Sequence, residues 1–195
     1  MISVVPDAPS LRVRSPLGKC YTGRMSIPSA PVLALLLALA PHARARPAPG
    51  WEEAPAAYQA RLSAIAEDIA AVSSGRVDAA ALVGVAWHES GFAADVDAGQ
   101  CYHAAASGRC DGGRAASLWQ MQDADPERRE TYRTNRREAA REALRRIWRS
   151  RSACARNAPA ERLAAYAGGV CDLLAAKVAA RGLDASVRKA LALWR

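Results

Sequence analysis

"VDAAALVGVAWHESGF", residues 77–92, is a run of small and branched apolar residues that closes on His-Glu-Ser-Gly. With no proline and no strict alternation, it reads as a buried helix from about Val77 to about Ser90, stopped by Gly91. Asp78 falls in the first turn, where the helix dipole favours a carboxylate. Leu82, Val85, Ala86 and Glu89 fall on one face at helical spacing, so a carboxyl sits on the stripe meant for burial. Burial disfavours the ionised form and raises the pKa. A carboxyl that is protonated near neutral pH can act as a general acid. Geometry alone leaves open a plainer alternative, a glutamate that reaches solvent from a frayed helix end.

Outward from this helix the chain is rich in alanine, poor in aromatics and free of strand-like alternation, so the expected fold is mainly α. Residues 53–72 carry Tyr58, Leu62, Ile65, Ile69 and Val72 at three- and four-residue intervals, and "SSG" at 73–75 stops that helix. Residues 91–116 hold five glycines and two cysteines and read as a long loop, with room for a short β-hairpin. A long helix follows from Pro126 to about Ser150. Asn157 and Pro159 introduce a helix carrying "ERLAAYA", which Gly168-Gly169 ends. "VCDLLAAKVAARGL" and "DASVRKALALW" read as two short closing helices.

Residues 32–40, "VLALLLALA", are too few to span a bilayer, which takes roughly 20 apolar residues. Followed by prolines and by "ARA" at Ala43–Ala45, they have the form of a secretory h-region and its cleavage site. Residues 1–45 are therefore expected to be an N-terminal extension and signal peptide, with Met25 giving a more ordinary start than Met1. Residues 46–195 are expected to be one domain, exported to the periplasm or the extracellular space without a transmembrane anchor. A buried helix at the start of the domain is the competing reading of the apolar stretch. Export fits the cysteines: Cys101, Cys110, Cys154 and Cys171 form an even set that allows three pairings. Cys101–Cys110 and Cys154–Cys171 are the expected bridges, because each closes a local loop. The net charge of the whole chain is +8. Removing Arg12, Arg14, Lys19, Arg24 and Arg44 against Asp7 takes four from it, leaving +4, with the basic residues in excess concentrated between Arg128 and Arg156. Such a surface suits an anionic partner, a wall polymer, a nucleic acid or a lipid headgroup. Glu127, Glu130, Glu138 and Glu142 are interleaved with the arginines from Arg128 to Arg151, and a solvated, self-paired helix face explains the run as well.

Two further segments bear on Glu89. "SLWQM" lies at 117–121 and "AAYAGG" at 164–169. Taken with "HES" at 88–90 they resemble, in order, the three motifs of the lytic transglycosylase and goose-type lysozyme-like family. Those motifs are Glu-Ser at a helix end, Gly-Leu-x-Gln-hydrophobic, and Tyr-Asn-Ala-Gly. The likeness covers about residues 78–170. Ser117 stands where the family usually has glycine, "YAGG" lacks the asparagine, and "DADPERRE" replaces the usual Pro-x-Thr-Ala, which marks a divergent branch. The resemblance implies a lysozyme-like domain that cleaves the β-1,4 bond between N-acetylmuramic acid and N-acetylglucosamine in peptidoglycan. Glu89 would be the acid and then the base, with Ser90, Ser117, Gln120, Met121 and Tyr166 as substrate-binding residues. A lytic transglycosylase passes the bond to the sugar's own 6-hydroxyl and leaves a 1,6-anhydro end, whereas a hydrolytic muramidase activates water, commonly with a second carboxylate. Asp95, Asp97 and Asp111 are the candidates for that carboxylate, none fixed by spacing, and this tips the expectation toward the transglycosylase. A non-catalytic basic module that binds cell wall or nucleic acid is the alternative from another class.

Other chemistries find less support. His-Glu-Ser lacks the second histidine of a zinc helix, since Phe92 occupies its place, and only His88 and His103 remain outside residues 1–45. "DVDAGQ" has Gly99 at a calcium-ligand position, and "GRCDGGR" lacks the Gly-Lys-Ser/Thr of a phosphate loop. No metal and no cofactor is expected. The expected partner is the peptidoglycan glycan strand, with no dedicated nucleic-acid partner, and the protein is read as a monomer.

Overall fold

A computed structural model describes residues 27–43, 47–101 and 110–194; Met25, Arg44 and Ala45 of the cleavage motif, and His103 lie outside them. The chain is mainly helical. Helices α1 (Ser29–Leu39), α2 (Pro55–Val72), α3 (Arg76–Glu89) and the single turn α4 (Ala94–Asp97) come first. Strands β1 (Ala115–Ala116) and β2 (Met121–Gln122) form one antiparallel hairpin, pairing Ala115 with Gln122 and Ala116 with Met121. Helices α5 (Pro126–Thr134), α6 (Arg136–Ala153), α7 (Ala164–Gly168) and α8 (Leu174–Leu193) complete the chain. The loop at 91–116 is thus both disulfide-bearing and the start of a hairpin. Both expected disulfides are formed, Cys101–Cys110 and Cys154–Cys171.

Helix α3 is the axis of the fold. Residues Ala79 to Ala86 are all buried, so burial runs around the helix and is not confined to the Leu82–Val85–Ala86 stripe. A helix apolar on every side belongs inside, and α3 packs chiefly on α8, with α1, α2 and α6 around it. Its entry is fixed by Asp78, which accepts from the backbone N–H of Ser74 at 2.9 Å and from Trp148 Nε1 at 2.9 Å. Trp119 Nε1 donates to the Leu82 carbonyl at 2.9 Å and pins the hairpin to the same helix.

Two boundaries differ from the sequence reading. The long helix expected from Pro126 to Ser150 is two helices, because Asn135 leaves the helical region and caps α6, accepting from the Glu138 N–H at 3.1 Å. The two closing helices are one, since α8 runs straight through Gly182. A Cβ there would come within 2.8 Å of His88 Cε1, so the glycine is a notch for a neighbouring side chain rather than a stop. The apolar stretch at 32–40, expected to be an h-region, is helical: it falls in α1 as far as Leu39 and lies against α2. Val32, Leu35, Leu36 and Leu39, at i, i+3, i+4 and i+7, supply its buried face. No described helix is long and apolar enough to cross a membrane.

Candidate active site

Glu89 is the last residue of α3, where the chain turns sharply through Gly91 and Phe92, both at positive φ. The buried Phe92 ring and the Ser90 hydroxyl hold that turn: Ser90 Oγ donates to the Ala86 carbonyl at 2.9 Å and accepts from the Phe92 N–H at 3.3 Å. Ending the helix here leaves the Glu89 side chain at the wall of a cleft of about 660 Å³. Asp111, Gln120, Met121, Gln122, Arg146 and Tyr166 share that cleft.

The Glu89 carboxyl is pushed up to about 7, first by burial and second by the negative charge of Asp111. Its place at the C-terminal end of α3 acts in the same sense, because the partial negative charge there opposes a carboxylate. Among the described residues no cation pairs with it and no group donates a hydrogen bond to it. Near neutral pH it is therefore a proton donor in an accessible cleft, which is the requirement for a general acid.

Asp111 is carried by a left-handed turn, with φ positive at Cys110, Asp111, Gly112 and Gly113. Aspartate tolerates that conformation better than most side chains. Immediately before it, the Cys101–Cys110 disulfide anchors the turn, and Gln122 Nε2 donates to Asp111 Oδ2 at 2.5 Å from β2. The other two candidate carboxylates are not in the cleft. Asp95 is buried and accepts from the Ala48 N–H at 3.2 Å. Asp97 is clasped by Arg136 at 2.7 and 2.8 Å, with Arg61 at 3.6 Å, and ties α4 to α2 and α6. Both are structural.

Of the expected substrate-binding residues, Gln120, Met121 and Tyr166 line the cleft, whereas Ser90 and Ser117 do not. Ser90 is consumed by the α3 turn. Ser117 is buried at φ +66 in the hairpin loop and supplies its carbonyl to the Gln120 N–H at 3.0 Å and to Gln120 Nε2 at 2.9 Å. A left-handed φ favours glycine, which accounts physically for glycine being the more comfortable residue at this place. Tyr166 borders the cleft, but its hydroxyl donates to the Trp119 carbonyl at 2.7 Å. Burial pushes the phenol well above its ordinary value, and the Glu89 carboxylate adds to this, so Tyr166 stays protonated and braces the hairpin against α7.

Sequence reasoning missed Arg146 and Gln122. Arg146 reaches from α6 to the Gln122 carbonyl at 2.6 Å, Asp123 at 2.8 Å and Glu142 at 2.6 Å, over the Tyr132 ring. It holds β2, and with it the cleft wall, against α6. One arginine among many on a self-paired helix gives no signal that separates it from its neighbours. The fold and site together define a mainly α-helical, disulfide-braced domain with a titratable carboxyl at the wall of an open cleft. Comparison with protein-family models, curated proteins and solved structures finds no match to the chain, so the geometry carries the functional reading.

Replacing Asp111 with Asn keeps the Gln122 contact available and removes the charge. The Glu89 pKa is then expected to fall, so the alkaline limb of any Glu89-dependent activity moves to lower pH. A pH profile of the variant that coincides with that of the wild type would show that Asp111 does not act on Glu89.

Proposed function

We propose that the protein cleaves the β-1,4 glycosidic bond of peptidoglycan glycan strands, with Glu89 as acid and then base on a lysozyme-like domain that acts after export. The single observation that carries this reading is the Glu89 carboxyl, raised to about 7 at the end of the central helix and facing an open cleft. Its support from sequence is the order of the motifs: residues of all three (Glu89, Gln120 and Tyr166) line that one cleft. In the reaction, the Glu89 proton passes to the glycosidic oxygen as the C1–O bond breaks, leaving an oxocarbenium-like centre. The Glu89 carboxylate then takes a proton from the attacking hydroxyl. With the muramyl 6-hydroxyl as nucleophile, no water is consumed and a 1,6-anhydro end forms.

Asp111 supports a second reading, with water as nucleophile. The expectation of transglycosylation leaned on the lack of a placed second carboxylate, and Asp111 shares the cleft with Glu89. The experiment is digestion of purified sacculi followed by mass analysis of the muropeptides. Anhydro ends are expected for the first reading and reducing ends for the second. If no soluble fragment appears although the protein pellets with sacculi, the cleavage reading fails and a binding module takes its place.

A further inference from the structure

The turn after α7 and the first turns of α8 expose an aliphatic patch: Val170, Leu173, Leu174 and Val178 are 51, 55, 71 and 56% exposed. Leu174 and Val178, one helical turn apart, share a face of α8, and Val170 and Leu173 lie in the turn that leads into it. Exposed clusters of this kind mark interaction surfaces, whereas single exposed apolar residues do not.

What the patch meets is indicated by its flank. The Cys154–Cys171 disulfide, and the hydrogen bond from Asn157 Nδ2 to the Cys171 carbonyl at 2.7 Å, tie the end of α6 into the middle of the patch. That end carries Arg149 and Arg151, the turn after it carries Arg156, and none of the three has a carboxylate partner among the described residues. The preceding arginines differ, since Arg141, Arg145 and Arg146 are each paired with Glu138 or Glu142. Arg151 lies 5.2 Å from the ring centroid of the exposed Trp148. Within residues 168–180 the one acidic side chain is Asp172, which has Lys177 beside it at 4.0 Å.

We propose that this face docks on an anionic lipid surface, with the aliphatic side chains entering the headgroup boundary and the unpaired arginines meeting lipid phosphates. Aliphatic side chains flanked by unpaired cations suit a bilayer boundary. A protein partner would be expected to find aromatic anchors in the patch, as leucine and valine are poor hot-spot residues. Residues 168–180 contain no aromatic ring. Gly168 and Gly169 belong to the cleft wall, so docking holds the cleft beside the bilayer. The proposal does not depend on what the cleft does.

The test is flotation of the full-length chain with phosphatidylcholine vesicles, with and without phosphatidylglycerol. Binding is expected only where phosphatidylglycerol is present, weakening as salt is added. Leu173→Ser with Leu174→Ser, and separately Arg149→Gln, Arg151→Gln and Arg156→Gln together, are each expected to weaken it at least about tenfold. The arginine variant carries the test if the leucine variant does not fold by circular dichroism. Equal binding to neutral vesicles, or unchanged binding by either folded variant, overturns the proposal. A wild-type dimer that Leu174→Ser makes monomeric, with vesicle binding unaffected, also overturns it and gives the patch to a second copy of the chain.

Discussion

Glu89→Gln is expected to lower the release of soluble muropeptides from sacculi by about 10²- to 10⁴-fold, the range typical of a lost general acid. The substitution keeps size and polarity and removes only the transferable proton. Loss of fold is separated from loss of chemistry by the sign of the stability change. The folded-state pKa of Glu89, about 7, lies above its ordinary 4.5. The folded protein therefore holds this proton more tightly than the unfolded chain, and stability falls as pH rises from the ordinary value through about 7. Above that window the buried carboxylate opposes folding. Glutamine carries no such charge, so the variant is expected to melt at a higher temperature than the wild type at pH 8, with the difference vanishing below pH 4. An inactive variant that also melts lower at pH 8 would mean that Glu89 supports the fold. A variant that retains lysis would place the catalytic acid elsewhere.

The same residue shows how far the sequence could be read. The apolar run of α3 was enough to place Glu89 beside buried neighbours, because such a run is local and visible in ten residues, although burial surrounds the helix and does not follow the one stripe. The disulfides were legible for a similar reason: each closes a loop within one segment. Choosing among the three carboxylates was not possible from sequence. Asp95, Asp97 and Asp111 look alike in a glycine-rich loop, and what sorts them is tertiary: Arg136 and Arg61 claim Asp97, the Ala48 N–H reaches Asp95, and Gln122 meets Asp111. Arg146 was hidden in the same way, since its distinguishing partners, Gln122 on β2 and Asp123 just after it, lie more than twenty residues away. The misjudged helix limits have a common cause too. Asn135 breaks a continuous apolar pattern by capping, and Gly182 preserves a helix by making room, and in both cases the side-chain environment overrides propensity.

Gly84 is where the fold is most exposed to a single change. It lies midway along α3, opposite α8, and a Cβ built on it would sit 2.6 Å from Val187 Cα, 2.8 Å from Val187 N and 2.9 Å from the Ser186 carbonyl carbon. All three are backbone atoms, which cannot rotate away, so the two helices must part. Gly84→Ala gains about 1 kcal/mol of helix propensity. Against this stands an overpacking cost at or above the upper end of the usual range, ~3 kcal/mol, because rigid backbone meets rigid backbone. The net loss of about 2 kcal/mol corresponds to a fall in Tm of roughly 4–8 °C for a domain of this size. Gly84→Leu adds three more carbons to the same gap and is expected to prevent folding. Gly75→Ser is the matched control, at an extended φ with nothing within 4 Å of the added Cβ, and should leave the Tm unchanged or slightly raised through capping of α3. The measurement is thermal unfolding by circular dichroism for the three variants. A Gly84→Ala protein that melts with the wild type would show that α3 and α8 can separate at no cost. Because Glu89 closes the helix that Gly84 holds, the folded Gly84→Ala protein is also expected to show a lower Glu89 pKa, as a loosened helix end admits water to the carboxyl and relieves its burial.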